Sequence, residues 1–272
     1  MLGQDVASAA REAGHEPITL ARAQLDITNA GAVAAAVADA RPDVVINCAA
    51  WTNVDEAEVH EDAAAAVNGA GAGNVAQAGQ AHGAWTLHIS SDYVFDGAGT
   101  QAYVESDLTA PMSAYGATKL AGEFAVAAAA PSAHTIVRSS WLFGLGGPCF
   151  PATILRLASE RDELSVVDDQ VGCPTFTGHL ARALIKLVQS RPLGIVHMAG
   201  AGSCSWFEFA REIVAATGAD CVVHPCTTAE FPRPAPRPAY SVLGTERGTE
   251  IPRLPDWHDG LSDYLTAGVY AR

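Results

Sequence analysis

Apolar residues in the first half of the chain follow two alternating rhythms. Short runs such as Asp43-Val-Val-Ile-Asn47 and Ala84-Trp-Thr-Leu-His-Ile-Ser90 are dense in β-branched and aromatic residues. They read as short, buried strands. Longer stretches with helical spacing separate them. One helix is expected from Gly3 to Gly14, with the glycine closing it. Residues 17–20, Pro-Ile-Thr-Leu, read as a strand, an alanine-rich helix follows to Ala40, and a long helix lies between Val54 and His82. Ser113 to Ala130 reads as a helix, and His134-Thr-Ile-Val-Arg138 as the strand after it.

Beyond Trp141 the elements shorten and glycine and proline become frequent. Leu164-Ser-Val-Val167 and Ile195-Val-His-Met198 read as strands, with helices near 176–190 and 205–217. Residues 231–238, Phe-Pro-Arg-Pro-Ala-Pro-Arg-Pro, form a stiff loop of the kind that carries function. Strand and helix in alternation predict βαβ units. The fold class expected is α/β, a Rossmann-like doubly wound parallel sheet with a smaller C-terminal substrate lobe. A dinucleotide-binding domain is expected over 1–145. Residues 146–272 are expected to be mainly a substrate-binding lobe, interleaved with the sheet.

Composition removes several functions. With 272 residues, 49% hydrophobic and 17% charged, the chain can bury a sizeable core and is not globally disordered. A net charge of −14 argues against a nucleic-acid partner, which selects a basic face. It leaves room for an anionic small ligand held by a few arginines. Cys48, Cys149, Cys173, Cys204, Cys221 and Cys226 include no CxxC pair and are expected to be reduced. No signal peptide or membrane-length apolar run is evident, so a cytoplasmic protein without a membrane partner is expected. The nine histidines show no compact ligand spacing, so no metal site is expected.

The candidate chemistry lies in Ser113-Ala-Tyr-Gly-Ala-Thr-Lys119. Tyr115 and Lys119 are spaced i, i+4 and share a helix face. Hydride addition to a ketone builds negative charge on oxygen, and a nearby acid must supply a proton. A tyrosine can do so, and an adjacent ammonium is expected to lower its ordinary pKa near 10 toward working pH. Two fixed residues at one spacing are weak evidence alone. The run Leu87-His-Ile-Ser-Ser-Asp-Tyr-Val-Phe-Asp-Gly97 strengthens it. It reads as a strand ending in serines, and ligands bind at the carboxyl ends of parallel strands. Ser91 is placed there to bond a substrate carbonyl and the tyrosine hydroxyl.

These motifs resemble the extended short-chain dehydrogenase/reductases, and within them the dTDP-4-dehydrorhamnose reductases. The resemblance is carried by Leu25-Asp-Ile-Thr28, Val45-Ile-Asn-Cys-Ala-Ala-Trp-Thr-Asn-Val-Asp-Glu-Ala-Glu58, Ser90-Ser-Asp-Tyr-Val-Phe-Asp-Gly97, Tyr115-Gly-Ala-Thr-Lys-Leu-Ala-Gly-Glu123, Arg138-Ser-Ser-Trp-Leu-Phe143, Asp169-Gln-Val-Gly-Cys-Pro-Thr175 and Arg237-Pro-Ala-Tyr-Ser-Val-Leu243. It implies NAD(P)H-dependent reduction of the C4 ketone of dTDP-4-dehydro-L-rhamnose. Tyr115 would be the general acid, Lys119 its partner and ribose ligand, and Ser91 the third member, where the family commonly has threonine. Ser91, Asp92, Trp141 and Arg237 would meet the nucleotide-diphosphate sugar. Met1, Leu2, Asp26, Ile27, Ala49, Ala50 and Thr52 would line the cofactor, with Tyr115 and Lys119. The other reading of Asp26 is a helix or turn cap, and that of Trp141 core packing. Arg22 could meet a 2′-phosphate or simply be solvated, so NADPH and NADH both stay open. Arg233 is a weaker diphosphate candidate than Arg237. A homodimer and a magnesium ion are left open, the latter without support in the sequence. The alternatives are another nucleotide-sugar 4-ketoreductase, of dihydrostreptose type, or a non-catalytic subunit like the regulatory subunit of methionine adenosyltransferase.

The family opens with a short strand and a glycine-rich turn, GxxGxxG. Met1, Leu2 and Gly3 match the end of that motif. Either Met1 is an internal methionine, with the strand encoded upstream at the centre of the sheet, or the chain is truncated and impaired; the first is the expectation.

Overall fold

The computed structural model describes residues 1–270. In chain order the first elements are helices α1 (Leu2–Glu12) and α2 (Ala30–Ala40), strand β1 (Val44–Asn47) and helices α3 (Val54–Val59) and α4 (Glu61–Ala65). A π-helix (Ala66–Gly71) leads into α5 (Ala72–Ala81), β2 (Trp85–Ser91), α6 (Ala114–Ala129) and β3 (His134–Ser139). Then come β4 (Leu142–Phe143), α7 (Phe150–Glu160), β5 (Glu163–Val167), β6 (Val171–Gly172), β7 (Thr175–Phe176), α8 (Thr177–Ser190) and β8 (Gly194–His197). The last are β9 (Cys204–Ser205), α9 (Trp206–Thr217), β10 (Val222–Cys226) and α10 (Trp257–Tyr270).

The main sheet is parallel, in the order β1-β2-β3-β8. Alternate residues of a strand face opposite layers. Accordingly Val137 packs with Leu2, Val6, Leu180 and Leu184 of α1 and α8, while Ile136 packs with Ala72, Ala76 and Val126 of α5 and α6. The sheet thus lies between two helical layers. A second core joins Ile154 of α7, Leu164 of β5, Phe209 and Ile213 of α9 and Leu261 of α10.

Three features differ from the sequence reading. Residues 17–20 form no strand, and Ile18 (67%) and Leu20 (48%) are exposed. A strand exists only as a hydrogen-bonded partner of another, and among the described residues β1 pairs with β2 alone. The long helix expected between Val54 and His82 is broken at His60 (φ −123°) and widened into the π-helix. Helices α7 and α10 and strand β10 went unread. The end of α1 follows expectation: Gly14 adopts φ 82° and its N–H bonds Arg11 O.

Candidate active site

Strand β2 delivers Ser90 and Ser91 to the carboxyl edge of the sheet. Ser91 caps a 3-10 turn, Asp92–Val94: its hydroxyl accepts from Tyr93 N (3.2 Å) and donates to Asp92 Oδ1 (2.9 Å). Asp92 is only 1% exposed, and among the described residues neither its Oδ2 nor the Ser241 Oγ has a hydrogen-bond partner. Burial pushes the Asp92 carboxyl up to about 6, only partly offset by the nearby Ser241 and Ser91 hydroxyls. An orphaned buried polar atom costs roughly 1–3 kcal/mol. Two of them lie side by side at this edge of the sheet.

Helix α6 starts where Ser113, in extended geometry, accepts the Gly116 N–H on its hydroxyl (3.1 Å). That cap sets Tyr115 and Lys119 one turn apart, facing β2. Gly116 is required here, because a Cβ would stand 2.2 Å from Tyr93 O. The Tyr115 ring meets the Tyr93 ring edge-on at 5.5 Å. Lys119 is 2% exposed and donates from Nζ to Ile89 O at 2.6 Å. An ammonium has three donors, and this is its one hydrogen bond among the described residues.

The sequence reading of the tyrosine pKa is corrected. Burial pushes the Tyr115 phenol up to about 12; the Ser91 hydroxyl beside it pulls down and Asp92 pushes further up. Lys119 is not among the charges acting on it, because its ammonium is turned to the Ile89 carbonyl. Burial costs the phenolate more than its neighbours return. Lys119 itself is pushed down to about 8 by burial, against the pull of Glu123 and Cys48.

Ala49, Ala50 and Thr52 lie on the loop after β1, at the same edge of the sheet. Asn47 accepts the Ala49 N–H (3.1 Å) on its side-chain oxygen, so its amide nitrogen faces His88 Nδ1 (3.1 Å). His88 is fully buried and held neutral by that burial and by Lys119. The loop is pinned from above by Asn68 of the π-helix, which bonds both Trp51 N (2.8 Å) and Trp51 O (3.2 Å) and also Thr118 of α6 (3.0 Å). Asp26 is exposed, and its carboxylate accepts from Thr28 N (3.0 Å) and Thr28 Oγ1 (2.8 Å), as a turn cap does. Ile27 is buried against Val33, Val37 and Val75, and Arg22 is solvated within electrostatic reach of Asp26. Met1 is the N-cap of α1, near Gly144 and Gly147; the Leu2 side chain turns into the core, so only its backbone borders the site.

Trp141 stands at φ 47°, left-handed backbone that a bulky side chain rarely adopts. Its ring stacks on Trp206 (3.5 Å, 5°) and covers Gly172. The neighbouring Cys173 lies within electrostatic reach of Asp92. Strain of this kind, about 1–3 kcal/mol, clusters at functional sites. Arg237 and Arg233 do not stand free: both guanidiniums bond Asp55. Gly97 (φ 71°) closes the other side of the site, where a Cβ would meet Pro238 at 2.4 Å. Thus Ser91, Asp92 and Tyr115 gather tightly, Lys119 adjoins them through Ile89, and Trp141 and Arg237 border them.

Four residues of structural consequence were not singled out in the sequence. Asn68 sits in Val67-Asn-Gly-Ala-Gly71, where clustered glycine inside a helical pattern was the available signal. Glu123 and Arg138 form a buried pair under Ser90, and Asp55 holds the two arginines; both lie within motifs already matched. Their partners are distant in sequence, so spacing gives no clue.

Asp92 yields a test of these electrostatics. Its pKa is raised in the folded chain, so between pH 3.8 and about 6 the folded state binds more protons than the unfolded one, and stability falls as pH rises. Asp92→Asn removes that cost. Two units at 1.36 kcal/mol each correspond to roughly 3 kcal/mol. The variant should melt no higher than the parent near pH 4 and clearly higher above pH 7; an equal gap at both pH values contradicts the assignment.

A family model described as the RmlD substrate binding domain matches residues 1–269. A dTDP-4-dehydrorhamnose reductase of Mycolicibacterium smegmatis is 45% identical over 278 residues, covering 100% of this chain and 84% of that protein. A probable dTDP-4,6-dihydroxy-2-methyloxan-3-one 4-ketoreductase of Streptomyces antibioticus is 42% identical, covering 97% and 90%. Among solved structures, a dTDP-4-dehydrorhamnose reductase of Bacillus anthracis in complex with NADP superposes with a TM-score of 0.94 at 39% identity, covering 98% and 95%.

Proposed function

The chain belongs to the RmlD substrate-binding-domain family, whose curated relatives are dTDP-sugar reductases, and from that premise we propose that it reduces the C4 ketone of dTDP-4-dehydro-L-rhamnose to dTDP-L-rhamnose with NADPH or NADH. The coarser part, a 4-ketoreductase of dTDP-linked sugars, rests on relatives at 40–45% identity. The observation that carries the finer part is the convergence of Ser91, Tyr115 and the unpartnered Asp92 carboxylate oxygen at one carboxyl edge of the sheet.

The residues present fit a nicotinamide dinucleotide. Lys119 keeps two N–H donors beyond its bond to Ile89 O, suited to ribose hydroxyls. The loop over 49–52 offers a backbone surface held rigid by Asn68, and Asp26 and Ile27 would border the adenine. A reduced nicotinamide bound there supplies the hydride. In the reaction the C–H bond forms at C4, the carbonyl π bond breaks, and the oxygen takes the Tyr115 hydroxyl proton, giving a secondary alcohol. A phenol pushed up to about 12 is fully protonated at neutral pH, so the acid is always loaded. Ser91 orients the carbonyl oxygen, and Asp92 with Ser241 accepts and donates hydrogen bonds to sugar hydroxyls. Trp141 covers the nucleotide-sugar from the far side.

The reading is tested by following NADPH oxidation with dTDP-4-dehydro-L-rhamnose. Turnover yielding dTDP-L-rhamnose is expected; a folded chain that binds cofactor yet gives no turnover overturns it.

A further inference from the structure

Four donors converge on one carboxylate. Asp55 Oδ2 accepts from Arg233 Nε (3.0 Å) and from a second nitrogen of the same guanidinium; Oδ1 accepts from Arg237 NH1 (2.8 Å) and the Ala235 N–H (3.2 Å). Burial pushes the Asp55 carboxyl up, but hydrogen bonds from the two guanidiniums and the Ala235 N–H outweigh it and hold the carboxyl down at about 2. Arg237 (14% exposed) and Asp55 (16%) are withdrawn from solvent, while Arg233 is half exposed. All three donor residues lie in the loop 231–238, where prolines at 232, 234, 236 and 238 alternate with the residues that bond. Proline fixes φ and has no N–H, so the loop is stiff and has few donors to anchor itself. Asp55 takes one of them and both cations.

The cluster borders the reducing centre. Tyr93, whose ring meets Tyr115 edge-on, feels both Arg237 and Asp55. The two guanidiniums and one carboxylate leave a net single positive charge. Among the described residues Arg237 engages NH1 alone and Arg233 leaves NH1 unengaged, so both retain donors.

We propose that Asp55 is a positioning residue, which fixes the loop 231–238 and presets Arg233 and Arg237 as a pair for the diphosphate of the nucleotide-sugar. This rests on the substrate reading given above. Without the carboxylate the two like charges repel, the Ala235 N–H loses its acceptor, and the loop loses its anchor to α3. Preorganised donors bind an anion without the cost of ordering them first.

The two effects of Asp55 have opposite signs, so a single variant decides. If Asp55 only neutralised charge, Asp55→Asn would leave more positive charge and bind dTDP more tightly. If it positions, Asp55→Asn binds dTDP about tenfold more weakly and raises the sugar KM by a similar factor, with the NADPH KM and kcat nearly unchanged. Asp55→Glu, keeping the charge, should recover part of the loss. Titration calorimetry with dTDP and steady-state kinetics give these numbers, and hydrogen exchange over 231–238 reports the loop independently, rising in Asp55→Asn. Equal or tighter dTDP binding by a folded Asp55→Asn overturns the proposal. Faster loop exchange in that variant, with no dTDP binding even by the parent, would instead remove the diphosphate ligand and leave the loop anchor standing.

Discussion

Tyr115→Phe should lower the rate of ketone reduction by about 10²–10⁴-fold, the range for loss of a positioned general acid, while melting temperature and dTDP affinity stay near those of the parent. The substitution deletes one hydroxyl and keeps the ring, so the edge-on contact with Tyr93 survives. In the mechanism proposed above, what disappears is the proton that the new alkoxide oxygen takes. The parent's pH profile should be flat through neutrality, because the phenol stays protonated, and should break near pH 8, where Lys119 loses its charge. A folded Tyr115→Phe that retained a third of the parental rate would mean that another group, Ser91 or water, delivers the proton.

The largest loss of stability is expected from Glu123→Gln. Glu123 accepts from Arg138 on both oxygens, Nε at 2.9 Å and NH2 at 2.7 Å, and from the Ser90 hydroxyl; both charged side chains are almost completely buried. Removing one partner of such a pair leaves an uncompensated charge in the interior and costs roughly 3–5 kcal/mol. At about 2–4 °C per kcal/mol the melting temperature should fall by on the order of 10 °C. Replacing both, Glu123→Leu with Arg138→Met, should recover most of the loss, since the cost lies in the orphaned charge rather than in the missing attraction. A drop of under about 1 kcal/mol in the single variant would show that water reaches Arg138. Ser90 precedes Ser91, so the single variant should also slow turnover beyond what lost stability explains.

Local chemistry and periodicity were enough to place α1, α2, β1, β2, α6, β3, α8 and α9, because each carries its own rhythm or cap. They failed where an element depends on a partner. Residues 17–20 have the composition of a strand, but composition cannot supply the neighbour that a strand must bond. The π-helix adds one residue per turn, which no helical template expects. At the site, Ser91, Asp92, Tyr115 and Lys119 were legible because they lie in compact motifs. The state of Tyr115 was not: spacing puts a lysine on the same helix face but cannot say that its ammonium is turned to the Ile89 carbonyl. Arg237 was legible as a cation beside the site, and invisible as the partner of a carboxylate 182 residues away.

The burial of Lys119 has a practical side. Lysine occurs in this chain at positions 119 and 186 only. Lys119 is enclosed, whereas Lys186 is exposed on α8, in the layer across the sheet from α6. Amine-reactive coupling through side chains therefore addresses one point. A resin or surface that captures lysine side chains would tether the protein through α8, leaving the α5 and α6 layer turned toward the solution.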